Sequence, residues 1–193
     1  MRFTKKWMAK FIHNSNLIEN YYLPMDHLMM VLKGEVPGSS PHILNHIKGL
    51  DYVKKFKKTR PTIDSVCHLH KILLGDLDGR AGKMRKGPVM VGHHIPPNWQ
   101  FILFHLDHWI QFWDMSPFVG MNPERQCRYR HYEFEWIHPF DDGNGRLGRL
   151  LYLWDSLYHD LEPEIILAKD KEKHYYDPLT SYSFNDRGLL LRP

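Results

Sequence analysis

Apolar residues recur at intervals of three and four along most of the chain, and the strict alternation of a half-buried strand is nearly absent. The pattern predicts a mostly α fold, with helices over about 3–19, 25–33, 42–57, 61–74, 98–114, 122–136, 144–160 and 170–181. Breakers separate them: Pro37-Gly-Ser-Ser-Pro41, the step from the basic run Lys54–Lys58 to Pro61, and the pair Pro96-Pro97. One segment departs from the helical pattern. Lys83 to Ile95 carries a Gly87-Pro88 turn followed by the β-favouring Val89, Val91 and Ile95, and reads as a short β-hairpin. Such a hairpin is either a surface ornament or a flap that pairs with an extended substrate segment.

Composition adds limits to this picture. At 193 residues, 42% hydrophobic and 13% aromatic, the chain has the material for one domain with a full core and no room for a second large one. The 26 Lys and Arg against 22 Asp and Glu give a formal charge of +4, which helps an anionic ligand approach without requiring nucleic acid. The run from Lys54 to Arg60 reads first as a solvated helix C-terminus, where cations meet the dipole favourably, and only second as a nucleic-acid patch. Cys67 and Cys127 stand in no CxxC arrangement, so neither a disulfide framework nor a zinc knuckle is expected. No segment approaches the roughly 20 apolar residues that span a bilayer, and the basic N-terminus lacks the apolar run of a signal peptide. The expectation is a soluble, cytoplasmic protein. The histidine sets His42/His46, His68/His70, His93/His94 and His105/His108 form no HExxH pattern and read as packed or hydrogen-bonded residues.

The densest chemistry lies between His138 and Arg149. Residues 131–137 close a helix that delivers His138 to a loop; Gly143 and Gly145 break the pattern, and a helix resumes at Arg146. A glycine-rich turn that opens a helix aims unpaired backbone N–H groups outward at the positive end of the macrodipole, so the turn of Gly143 and Gly145 reads as an anion hole. Arg146 and Arg149 are three apart, share a helix face and can clamp phosphate oxygens. Asp142 is a hard oxygen ligand placed where Mg²⁺ bridging two phosphates would sit. His138 is the candidate general base, its ordinary pKa near 6.5 suiting removal of a hydroxyl proton. Phe140 is expected to turn inward and anchor the loop. The bland alternative is a capped loop with surface arginines, but such a loop needs neither the histidine, nor both arginines, nor two glycines around Asn144.

This string resembles the Fic signature, His-x-Phe-x-Asp/Glu-Gly-Asn-Gly-Arg-x-x-Arg, at each defined position. The resemblance implies a Fic-type helical core with a β-hairpin flap, and transfer of AMP from Mg–ATP to a Ser, Thr or Tyr hydroxyl of a target protein. It implies that His138 is the base, Asp142 holds Mg²⁺, Gly143, Asn144 and Gly145 cradle the α- and β-phosphates, and Arg146 and Arg149 hold the β/γ end. Ala81 to Arg85 followed by Val89 to Pro97 resembles the family's flap, so Val89, Met90 and Val91 would align the target backbone by strand addition. Lys173 to Leu179 resembles the family's segment near the adenine, which would put Tyr175 and Tyr176 beside the base, although Tyr182-Ser183 departs from the pattern.

A second resemblance lies near the N-terminus. Ser15-Asn-Leu-Ile-Glu19-Asn20 is similar to the inhibitory motif found with Fic domains, and Leu23 to Gly34 after it is also family-like. The implication is a carboxylate at Glu19 that pairs with Arg149 and occupies the group meant for the γ-phosphate. The alternative makes Ser15 and Glu19 ordinary neighbours on an amphipathic helix whose Phe11, Ile12 and Ile18 pack inward. The expected organisation is a single Fic domain over 1–193, with an inhibitory region over about 1–34, a core over about 35–193 and a flap near 83–97. The leading function is a self-inhibited protein adenylyltransferase, with self-modification and self-association as further options. A rival uses the same residues in reverse, with Glu19 orienting a water that attacks an AMP–protein bond. From another class, the chain could be a non-catalytic nucleotide-binding or interaction module, against which His138 and Asp142 argue. Relatives that transfer another phosphate-containing group depart from the Gly-Asn-Gly-Arg loop kept here.

Overall fold

The computed structural model describes residues 3–36, 40–113, 122–171, 183–184 and 190–191. Its helices are α1 (Lys5–Leu17), α2 (Met25–Lys33), α3 (Pro41–Phe56), α4 (Ile63–Leu74), α5 (Ile102–Gln111), α6 (Pro123–Ile137) and α7 (Asn144–Tyr158). Local chemistry explains their ends. The Thr4 hydroxyl accepts from the Trp7 amide at the start of α1, and Thr62 and Ser65 form a reciprocal capping box at the start of α4. Proline occupies the first turn of α3 and of α6, where its missing N–H costs nothing, and Gly34 ends α2 at φ 80°.

Helix α7 is the centre of the fold. From Arg146 to Leu157 every residue is buried, the mark of a helix enclosed on all sides by its neighbours α1, α3, α4 and α6. Gly49 on α3 lets that helix come close, since a Cβ there would stand 2.9 Å from Leu150 Cδ1. Trp109, Trp113, Phe134 and Trp154 fill the largest core volumes around it. Arg130 on α6 and Asp155 on α7 form a buried ion pair, with Nε to Oδ2 at 2.7 Å and Nη2 to Oδ1 at 3.0 Å, so the two helices are joined by charge as well as by packing.

The observed helices follow the predicted series, with three differences. The first ends at Leu17, not near 19, because Asn20 takes a left-handed φ of 62° and the amides of Glu19 and Tyr21 fold back onto the Asn16 carbonyl. The fifth begins as a 3₁₀ turn at Trp99–Phe101 before becoming α-helical. The eighth has only a 3₁₀ turn at Ala168–Asp170 at its predicted start, and 172–181 lie outside the described residues. A two-residue antiparallel pair, Ser183–Phe184 with Leu190–Leu191, lies where no strand was expected. The predicted hairpin of 83–95 reduces to a single antiparallel bridge between Val91 and His94 around Gly92. Pro88 on one side and Pro96 and Pro97 on the other lack the N–H groups that would extend the ladder. Both cysteines are free, and no helix among the described residues is long and apolar enough to cross a membrane.

Two carboxyl groups of α6 are buried, Glu133 and Glu135. Burial pushes Glu133 up to about 8, with Arg130 opposing, so the folded chain keeps a proton there that the unfolded chain releases above its ordinary 4.5. Stability carried by this proton is complete below about 4.5 and is lost as pH rises toward 8. Glu133→Gln, which has no proton to lose, should therefore gain on the parent across that window, by at most about 1.4 kcal/mol per pH unit. Urea midpoints of both proteins at the two ends of the window check this; a gap that does not grow with pH contradicts it.

Candidate active site

The loop between α6 and α7 is built to reverse the chain in few residues. His138 caps α6 at a left-handed φ of 48°, and Gly143 opens α7 at φ 78°. Between them the Asn144 side chain closes the turn on itself: its Oδ1 accepts from the Phe140 amide at 3.0 Å and its Nδ2 donates to the Phe140 carbonyl at 2.8 Å. The Asn144 side chain is thus spent on the loop, and only its backbone N–H is left for an anion. Phe140 is fully buried, stacked on the His70 ring at 3.8 Å. Gly143 gives no side-chain cap, so the first N–H groups of α7 face outward at the positive end of the helix.

Arg149 is 3% exposed and is met by the N-terminal segment. Its Nε donates to Ser15 Oγ at 3.0 Å, and its Nη2 donates both to the Ser15 carbonyl and to Glu19 Oε1, each at 2.7 Å. Glu19 lies in the turn after α1, its carboxylate 38% exposed and resting over Gly145, where a Cβ would collide with Oε1. The carboxylate therefore occupies part of the space above the α7 N-terminus that an anion would enter. Behind Ser15, its hydroxyl donates to His46 Nε2 (3.2 Å) while His46 Nδ1 donates to the His42 carbonyl (3.1 Å). Burial drives His46 down to about 3, so the ring is neutral and keeps Nε2 as an acceptor.

Arg146 turns to Asp142, with Nη2 to Oδ2 at 3.1 Å. The Asp142 side chain is 65% exposed beside the α7 N-terminus. No group of three or more His, Cys, Asp or Glu among the described residues is arranged to hold a metal. A lone accessible carboxylate nevertheless fits Mg²⁺ that arrives with phosphates, because that ion is commonly held by one or two carboxylates, substrate oxygens and water. His138 is largely enclosed: burial first, then the nearby Arg85 cation and His94, push it down to about 4, with the Glu135 carbonyl opposing. It is neutral at physiological pH and has a lone pair to offer.

The flap is fastened by two side chains, Arg85 and His94. Arg85, 2% exposed, donates from Nε to the His138 carbonyl (2.8 Å) and from its two Nη atoms to the carbonyls of Gly87 (2.9 Å) and Pro97 (2.6 Å). His94 Nε2 donates to the Trp136 carbonyl at 3.0 Å. Met90 and Ile95 remain exposed on the outer side. Arg85 stood inside the flap-like string without a role, and only the spatial convergence of these carbonyls reveals one. Tyr175 and Tyr176 lie outside the described residues.

Residues 60–154 match the Fic/DOC family. The chain is similar to the protein adenylyltransferase Fic of Drosophila persimilis, 29% identical over 187 residues, and to that of Culex quinquefasciatus, 30% identical over 191 residues. These alignments cover 91% and 92% of this chain but only 36% and 37% of the two relatives, so the chain spans little more than a third of their length. In fold it is similar to a Fic domain containing signaling protein from Bacteroides thetaiotaomicron, with a TM-score of 0.79 and 23% identity over 92% of this chain and 72% of that one. It also resembles Fic-1 (residues 134–508) of C. elegans, with a TM-score of 0.71 and 22% identity over 89% and 54% of the two chains.

The His138 environment can be checked directly. In an NMR titration its ring should stay neutral as pH falls through the ordinary 6.5 and take up a proton near 4. A midpoint at the ordinary value would mean that the enclosure by α6, the flap and Arg85 is absent in solution.

Proposed function

We propose that this chain, which carries a Fic domain over residues 60–154, is a self-inhibited protein adenylyltransferase that moves AMP from Mg–ATP to a Ser, Thr or Tyr hydroxyl of a target protein. One observation carries the reading: Glu19 and Ser15 hold Arg149 on α7, the helix that follows directly on the loop presenting His138 and Asp142. Residues 35–193 then serve as the catalytic core and 1–34 as its restraint.

In the released state the Gly143–Gly145 amides receive the α- and β-phosphates, and Arg146 and Arg149 receive the β/γ end. Asp142 would hold Mg²⁺, which when bound would supply charge neutralisation at the phosphates. The neutral His138 takes the proton of the acceptor hydroxyl as its oxygen bonds to the α-phosphorus, and the α–β bridging bond breaks to release pyrophosphate. The flap, with Val89, Met90 and Val91, lays the acceptor chain against the site by backbone pairing. At rest Glu19 keeps Arg149 from the γ-phosphate, so ATP would sit with its α-phosphorus out of line for attack.

A hydrolytic reading rests on one further fact. The Glu19 carboxylate is partly exposed and lies over the phosphate-facing glycines, so it can also hold a water against an AMP–protein bond.

Two assays separate these readings. With α-labelled ATP, Mg²⁺ and cell extract, Glu19→Gly should transfer about 10- to 100-fold more label than the parent, the worth of one charge-assisted contact. His138→Ala in that background should lose about 10²- to 10⁴-fold. Unchanged transfer on removing Glu19 ends the claim of restraint. With AMP-modified protein as substrate, release that requires Glu19 establishes the hydrolytic reading, and release at equal rates without it discards that reading.

A further inference from the structure

The motif loop and the flap are separate segments, and one imidazole joins them. His70 lies on α4, outside the signature, and is 2% exposed. Its Nε2 is 2.9 Å from the Asp142 carbonyl and its Nδ1 is 2.8 Å from the Gly82 amide nitrogen. The carbonyl can only accept and the amide can only donate, so the ring carries its proton on Nε2 and accepts at Nδ1. Both faces of the contact are tight. A Cβ on Gly143 would stand 3.2 Å from His70 Nε2, and a Cβ on Gly82 would stand 3.1 Å from the Cys67 carbonyl of the same helix. Each anchor also borders a soft backbone position, since Gly82 has φ 79° and Gly143, next to Asp142, has φ 78°.

We infer that His70 is a positioning residue for adenylyl transfer, a rigid spacer that sets how far the root of the flap stands from the loop that carries Asp142. The kinetic side of this inference rests on the transferase reading; the spacer itself rests on the two hydrogen bonds. The flap places the acceptor and the loop places the phosphates, so the spacing between them enters the alignment of attack, where a misplacement of about 1 Å is costly. Phe140, stacked flat on the ring, keeps it from rotating out of this plane. Arg85 ties the rest of the flap independently, so loss of His70 shifts the flap root without freeing the flap.

Two variants divide the spacer. In His70→Asn the shorter amide oxygen can still accept from Gly82 but no longer reaches Asp142. In His70→Gln the longer amide nitrogen can still donate to Asp142 but leaves Gly82 unmatched. Both are made in the full chain carrying Glu19→Gly and compared for amide hydrogen exchange, calorimetric affinity for Mg–ATP and transfer of α-labelled AMP. His70→Gln should raise exchange at Gly82 about fivefold, the worth of one hydrogen bond, with Mg–ATP affinity kept. His70→Asn should do the opposite, weakening Mg–ATP about fivefold with Gly82 protection kept. Transfer should fall in both. Equal changes in the two variants, no change in either, or loss of the fold in both would overturn the spacer and leave His70 as a core residue. If the Glu19→Gly parent itself neither binds Mg–ATP nor transfers label, the transferase reading fails, while the exchange at Gly82 still decides the spacer.

Discussion

A guanidinium cannot be enclosed in protein without acceptors, and Arg149 imposes this demand on the centre of the fold. It lies on the most buried helix, and the backbone and hydroxyl of Ser15 with the carboxylate of Glu19 meet it. The docking of α1 against α7 is therefore more than a matter of Phe11, Ile12 and their apolar neighbours. The same contact that satisfies the cation is the one the proposed restraint uses, so on that reading packing and restraint are one arrangement. The neutral His46 behind Ser15 extends it, because a protonated ring could not accept the Ser15 hydroxyl.

Buried polar groups of this kind recur, and each joins one element to another. Arg130 and Asp155 tie α6 to α7, Arg85 ties the flap to the carbonyl of His138, and His70 ties the flap root to Asp142. The apolar core alone would leave the loop of 138–143 and the flap free to slide, since hydrophobic contact has little direction. Hydrogen bonds to backbone carbonyls have direction, and those of Arg85 and His70 fix these two segments.

The helices were readable because their boundaries carry local causes: Thr62 before α4, proline in the first turn of α3 and α6, and Gly143 ahead of α7. The motif loop was readable for a related reason, since its histidine, carboxylate and glycines lie within eight consecutive residues, His138 to Gly145. His70 and Arg85 were not, because their partners stand 72 and 53 residues away and each alone looks like any histidine or arginine. Asn144 was read as part of the phosphate cradle, yet its side chain closes the turn through Phe140, a use visible only once the loop is folded. The flap read as a short hairpin keeps one antiparallel bridge: its valines favour a strand, and its prolines interrupt the ladder beyond it.

The position of Glu19 just past the end of α1 bears on how the proposed restraint would respond to conditions. A carboxylate on so short a tether acts on Arg149 as a ligand held at a fixed local concentration, on the order of millimolar for flexible links. On the proposed reading, a dissolved nucleotide phosphate would compete with that constant value. The balance at Arg149 would then be set by how much nucleotide is present and not by how dilute the protein is, which would make the proposed restraint an internal reference against which nucleotide supply is measured.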